Sequence, residues 1–283
     1  MPTFPTPEPI SATIDVAAGE VRIVASERDD AVVEVRPTDP SDEDDVRAAQ
    51  ETLVDFARGR LIVRAPKPGL RAWLRPDTGG SVDVTIELPA GSNLNGAGGA
   101  ADFHCDGRLG ALSLKTGLGQ IRIDRAETVS LKTGSGDISV ERVTGHAQVT
   151  TGAGDVRVGG VDRTAAITTA KGDTWVGAAG GDLRVKAAAG SIAVDAAEAS
   201  VGAKSAYGDV RLGQVGRGSV VLETHAGDVE VGIPEGTAAW LEASSAAGRV
   251  HNALEAADAP GPSAQTVEVR ARTSIGDVVI RRP

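Results

Sequence analysis

The stretch TGSGDISV at Thr133–Val140 returns almost unchanged 18 residues later as TGAGDVRV at Thr151–Val158. Two glycines and an aspartate ahead of an apolar alternation fit either a ligand loop or the corner of a repeated wall, and the spacing along the chain separates the two. Glycines in the same setting stand at Gly119, Gly136, Gly154, Gly172, Gly190, Gly208 and Gly227, in steps of 17 to 19 residues. Ala101 holds the equivalent position one step earlier, and Gly248 and Gly276 continue the series after insertions. A fixed period of this size over most of a chain is the mark of a solenoid.

Each period carries two alternating runs around its corner. In the period of Gly136, Val129, Leu131 and Thr133 alternate with Ser130 and Lys132, and Ile138 and Val140 alternate with Ser139 and Glu141. A period of two means strand. Superposed down the chain, positions such as Val149, Ile167, Val185 and Leu222 form one apolar column, and Val158, Val176, Val194 and Leu212 form another. The predicted fold is all-β: a single parallel β-solenoid whose rungs stack at ~4.8 Å, the seven regular ones spanning roughly 30 Å. A weaker inward position seven residues after each glycine, at Ala126, Val143, Val161, Ala179, Ala197 and Val215, leaves both two and three faces per rung open.

The composition agrees with a thin interior. Of 283 residues 41% are hydrophobic but only 2% aromatic, so the core must be filled by small and β-branched side chains. A formal net charge of −10 disfavours nucleic acid and anionic membranes, which both call for a positive field. Cys105 is the single cysteine, which excludes an internal disulfide, and it reads as a buried thiol. The opening MPTFPTPEPI has no basic stretch followed by an apolar one, and no apolar run approaches the ~18 residues of a membrane span, so the expectation is a cytoplasmic protein with no membrane insertion.

Residues 1–93 read as an N-terminal cap continuous with the solenoid, and residues 94–283 as the repeats. The cap shows short alternating strands at Ala12–Val16, Glu20–Ala25, Val32–Arg36, Arg60–Arg64 and Val82–Leu88. One helix is predicted over about 42–58, capped by Ser41, ended by Gly59 and lying on the first rungs. A loop at 252–265 interrupts the period before a last strand pair, Thr266–Thr273 and Asp277–Arg281.

Four chemistries could draw on these patterns. The aspartates that follow the corner glycines, Asp137, Asp155 and Asp173 foremost, are weak calcium candidates, since each rung supplies one carboxylate and no second oxygen-rich position. They read better as turn formers that accept N–H groups of their own turn. A phosphate cradle needs a glycine turn that opens into a helix, and every turn here opens into a strand. The four histidines fall at unrelated phases, no nucleophile motif is present, and no catalytic residue or cofactor is expected. Outward columns carry Lys115, Lys132, Lys186 and Lys204 before the corner and Arg122, Arg157 and Arg211 after it. Among them Trp175 is placed outward between Arg157 and Ala193, an arrangement typical of an interface anchor.

The opening PEPISATIDVAAGEVRIVAS, the repeated TGxGD turns, GDTWVG at Gly172–Gly177 and the ending VEVRARTSIGDVVIRR resemble the actinobacterial branch of a bacterial family known as putative adhesins, β-strand repeat domains of unknown function. The resemblance covers almost the whole chain and implies a β-solenoid without catalytic residues. The expected function is that of a non-enzymatic scaffold or interaction module with a protein partner. Three alternatives stay open: a secreted or surface adhesin that binds glycan or calcium, a self-assembling filament protein of the bactofilin kind, and a carbohydrate-active β-helix enzyme.

Overall fold

The computed structural model describes residues 2–66, 80–254 and 265–283. Twenty-three strands and one helix make up the described chain, which forms two compact units, Met1–Val140 and Glu141–Pro283. Both units are built as the sequence period predicts, from parallel strands stacked rung on rung.

In the first unit the long strand Ser11–Ser26 bends at Gly19, whose φ of +122° is the glycine conformation the VAAGEVRI pattern calls for. It pairs in parallel with Asn93–Leu118 on one side and with Arg60–Arg64 and Val82–Pro89 on the other. Asn93–Leu118 pairs in turn with Ile121–Ser135, so that Phe103 meets Ile121 and Leu114 meets Leu131. Ala101 sits opposite Gly19, and its carbonyl lies against Gly119, at the corner where the sequence places it. Antiparallel pairs finish this stack: Asp30–Pro37 against Val82–Pro89, and Leu53–Ala57 against Arg60–Arg64.

The helix is shorter than its sequence predicts. Helix α1 spans Glu43–Glu51 and packs on Asp30–Pro37 and Val82–Pro89, while Leu53–Ala57 is a strand. The reason lies in Gly59, read as a helix stop, which is half of a two-residue hairpin turn: Arg58 and Gly59 both have positive φ, +51° and +72°, the geometry that joins antiparallel strands. Val54 and Phe56 then share one face, and Phe56 stacks on Phe4 at 5.2 Å between ring centroids. Ser41 is not the cap. Asp42 accepts the N–H groups of Asp44 and Asp45, whereas Ser41 turns back to Asp39. The buried Asp45 carboxylate accepts N–H groups from Asp39 and Ser81, which ties the helix to the sheet beneath it.

The second unit repeats one rung seven times. Val149, Ile167, Val185, Ala203 and Leu222 lie in register down one sheet, and Val158, Val176, Val194, Leu212 and Val231 down the other, all buried. A rung contains two strands. The second strand bends after its third residue, so that the position seven past the corner, at Val161, Ala179, Ala197 and Val215, also faces in.

The last two rungs are not stacked in chain order. Gly218–Ala226 pairs with Gln265–Ile275, and Gln265–Ile275 pairs on its other edge with Thr237–Ala247. The short strands repeat this arrangement, Val229–Gly232 against Val278–Arg281 and Val278–Arg281 against Val250–Asn252. The spatial order of corners is therefore Gly227, Gly276, Gly248, and the expectation that Gly248 continues the series directly is corrected. Side-chain chemistry explains the choice. The inserted strand offers Val267, Val269 and Ala271, all at most 2% exposed, whereas Thr237–Ala247 offers Ala239, Leu241 and Ala243 and is left half-buried at the end. Residues 255–264 of the expected loop lie outside the described residues.

Candidate functional site

The corner is the first place where binding chemistry could reside. At Gly190 φ is +133°, and a Cβ there would lie 2.0 Å from the carbonyl oxygen of Gly172 in the neighbouring rung. The other corner glycines from Gly119 to Gly227 share the positive φ, so backbone conformation and close stacking each require glycine. Inside the corner, hydroxyls donate to the carbonyl of the adjacent corner: Thr116 to Ala101, Thr133 to Gly119, Ser205 to Gly190, Thr224 to Gly208 and Thr273 to Gly227, at 2.8–3.3 Å.

Outside the corner the aspartates form a second ladder, and their partners differ from those expected. Asp155 Oδ1 accepts the N–H of Asp173 at 2.8 Å, and Asp173 Oδ1 accepts that of Ser191 at 2.7 Å. Asp209, Asp228 and Asp277 likewise accept from Asp228, Asp277 and Arg249. The carboxylate thus serves the next rung and not its own turn, because stacking brings the equivalent N–H directly above it. The bond from the Arg249 N–H, reinforced by the nearby guanidinium, holds the Asp277 carboxyl below its ordinary range against the opposing effect of desolvation. Among the described residues no group of three or more His, Cys, Asp or Glu side chains is gathered to hold a metal ion. One oxygen each of Asp155 and Asp173 is already engaged by the ladder, and Asp137 holds the same corner position in the first unit.

Cys105 is buried, and burial, with the Asp106 charge, raises its thiol far above the usual range. His146 bonds Thr164 and His225 meets Tyr207 edge-on at 6.3 Å, and both rings are exposed.

The outward face of the second unit holds a more specific arrangement. Arg157, Trp175, Ala193 and Arg211 are register partners on four successive rungs, as the period predicts. The indole is half-buried and leans over Gly177, where a Cβ would come within 3.1 Å of it. The Arg157 guanidinium carbon lies over the ring, 5.8 Å from its centroid, and Trp175 Nε1 donates to Asp195 Oδ1 at 3.2 Å. A cation and an anion therefore fix an aromatic ring from opposite rungs. Asp195 was not singled out from the sequence, although it stands 18 residues after Gly177 and so at the neighbouring position on the same face.

Arg211 is placed differently from Arg157. It pairs with Glu230 at 2.6 Å, and Glu230 also accepts from Arg281 at 2.6 Å. Burial acts to raise the Glu230 carboxyl, but the two guanidinium groups outweigh it and lower the value overall. On the other sheet, in the column before the corner, Lys204 pairs with Glu223 at 2.6 Å, so both basic columns are partly neutralised. Two further rings are exposed, Tyr207 at 62% and Trp240 at 77%.

Comparison with known proteins now adds the family. The family model described as Toastrack DUF4097 matches residues 11–281, nearly the whole chain and both ladders. The chain belongs to the Toastrack family. No curated protein matches it. Among solved structures, the Toastrack chain is similar to one named a putative adhesin from Bacteroides fragilis, at 13% identity over 99% of this chain and 95% of that one, TM-score 0.39. Another, named a putative adhesin from Parabacteroides distasonis, matches at 12% identity over 98% and 95%, TM-score 0.35. A third, from the same organism and named a putative lipid binding protein, matches at 12% identity over 100% and 95%, TM-score 0.31. The Toastrack assignment and the chain's own strand pairing give the β-solenoid fold. Among the described residues no helix is long and apolar enough to cross a membrane.

Proposed function

We propose that this Toastrack chain is a non-enzymatic interaction module whose outward face engages a protein partner, with Trp175 as the anchor. The observation that carries this reading is the immobilised indole. A large aromatic ring loses little entropy on binding when its rotamer is already fixed, and here Arg157 and Asp195 fix it before any partner arrives. Arg157 supplies the charged neighbour typical of binding hot spots, and Arg211 extends the contact two rungs further along the column. Support for a non-enzymatic role comes from the corners, where the aspartates and threonines that could act as acids or nucleophiles hold the ladder instead.

The test is affinity capture from the cytoplasmic fraction of the native host with wild type, Trp175→Ala and Trp240→Ala in parallel. A hot-spot anchor is worth at least ~2 kcal/mol, roughly 30-fold in affinity. The expected result is a partner retained by wild type and Trp240→Ala and lost by Trp175→Ala, and equal recovery by all three overturns the reading. The adhesin names of the structural neighbours favour a second reading, in which the module is displayed on the cell surface. Recovery of the tagged protein from the surface and not from the cytoplasm would favour that reading over the first.

A further inference from the structure

We propose that a phosphate monoester binds on the outer face of the second unit, in a notch over Gly202 bounded by Arg184, Lys186 and Lys204. The four residues mark out a rectangle on two successive rungs: Arg184 is the register partner of Gly202, and Lys186 that of Lys204. Its sides measure about 4.8 Å from rung to rung and roughly 6.6 Å along each strand. Three corners carry exposed cations and the fourth carries no side chain. The notch lies on strands that precede the glycine corners, Leu183–Ala189 and Val201–Tyr207, whereas Trp175 lies on one that follows a corner, Thr174–Ala179, so the two surfaces are independent.

Neither reason for glycine at the corners applies to Gly202. It does not take a positive φ, and no atom lies within 4 Å of where its Cβ would stand. Glycine within a strand weakens it, and its usual roles there are a bulge, a bend, or the close approach of another backbone or a ligand. The ladder runs in unbroken register through Gly202 on both edges, to Leu183–Val185 and to Val220–Leu222, which leaves no bulge, and the open space leaves no approaching backbone. Approach of a ligand is the role that remains.

The charges define that ligand. Lys186 and Lys204 stand directly opposite each other, an arrangement of like charges that weakens a ladder. Glu223, next in the column, pairs with Lys204 at 2.6 Å. Among the described residues Arg184 and Lys186 have no ion pair, although acidic residues outnumber basic ones 39 to 29 in the chain. Their partners on the other edge, Ala166 and Thr168, are uncharged, and Asp182, two residues before Arg184, is not bonded to it. Two unpaired cations match one phosphate monoester, whose charge is about −2 at pH 7, and the Arg184 guanidinium can donate to two of its oxygens. A carboxylate would neutralise only one of them. The net charge of −10 opposes approach to an anionic membrane, so the monoester belongs to a soluble molecule.

The first unit supplies the control. Lys115 and Lys132 are likewise register partners there, but Ser113 and Ser130 hold the places of Arg184 and Gly202. The isotope-labelled full chain is titrated with phosphoserine in phosphate-free buffer, with serine as the blank, and the amide resonances of Arg184 and Lys204 are followed. The expected result is a saturable shift with phosphoserine and none with serine. Gly202→Leu, which keeps every charge and fills the notch, and Lys186→Gln should each weaken binding about ten-fold, while Lys132→Gln leaves it unchanged. Absence of a saturable shift in the wild type overturns the proposal. Equal weakening by Lys132→Gln would reduce the effect to net charge, and undiminished binding by Gly202→Leu would remove the notch, so either result overturns it as well. Binding to phosphatidic acid vesicles without binding to phosphoserine would assign the cations to a lipid surface, with the same consequence.

Discussion

Adding one carboxylate to the outer ladder tests the reading of the corners. The ladder is broken at Ser191, whose N–H is accepted by Asp173 but whose own side chain is too short to reach the N–H of Asp209. In Ser191→Asp the new carboxylate stands where Asp155 and Asp209 stand in their rungs, 2.8 Å from the N–H of the next rung. A hydrogen bond to a charged acceptor contributes about 1.5–3 kcal/mol, nearer 1 kcal/mol at an exposed corner. Against it act two like charges, Asp173 and Asp209, each one rung away. At ~4.8 Å in water each costs about 0.9 kcal/mol unscreened, and at 0.5 M salt, where the Debye length is about 4 Å, the two together cost roughly 0.6 kcal/mol. At 0.02 M salt the repulsion, about 1.4 kcal/mol, exceeds the bond and the variant is less stable by about 0.4 kcal/mol, whereas at 0.5 M a gain of about 0.4 kcal/mol emerges. Urea unfolding of wild type and variant at 0.02 and 0.5 M sodium chloride measures this, together with exchange protection of the Asp209 amide. A variant that is less stable at both salts, with an unprotected amide, refutes the rung-to-rung ladder.

Two further tests follow from the corners. Gly190→Ala should destabilise by roughly 2–5 kcal/mol, from positive-φ strain and the collision with the Gly172 carbonyl, whereas Gly202→Ala, with no atom within 4 Å of its Cβ position, should stay within about 1 kcal/mol of wild type. Equal effects in urea unfolding would mean the corners tolerate a Cβ. Because the folded Asp277 carboxyl titrates below its unfolded value, its contribution is present above about pH 4 and is lost as pH falls through the folded value. Asp277→Asn should thus melt below wild type at pH 7, with the gap closing in acid, and a gap independent of pH would remove the carboxylate's charge from the account.

The parts of the fold that were legible in the sequence are those fixed by periodicity. Val149, Ile167 and Val185 recur at 18-residue steps, and alternation places Trp175 outward and Thr133 in line with Val129 and Leu131, where the structure has both. The segment LVDFA illustrates the limit: its apolar residues fit a helical stripe as well as a strand, and only the Arg58–Gly59 turn and the Phe4 ring it folds against decide between them. Rung order was illegible for a different reason. Gly248 and Gly276 carry the same corner pattern, and a period says nothing about which neighbour a rung selects. A weak signal was present in the side chains, since Val267 and Val269 suit a slot closed on both sides better than Ala239 and Leu241 do. At the candidate site the Arg157–Trp175 pairing was legible from register, but Asp195 was not, because its bond to the indole runs diagonally between rungs. For the aspartates the residue type was informative and the direction of the bond was not.

The corner ladders also bear on how such a gene can change. The corner bonds of Asp173, Ser205 and Thr224 all run to the adjacent rung, so links of this kind in the second unit see similar surroundings regardless of how many precede them. Duplication or loss of one whole period leaves each link intact, whereas an insertion of a few residues inside a rung sets a side chain against a carbonyl. The height of the wall is thus free to drift in whole turns while its cross-section stays fixed, and relatives of different length would differ by multiples of about one 18-residue turn.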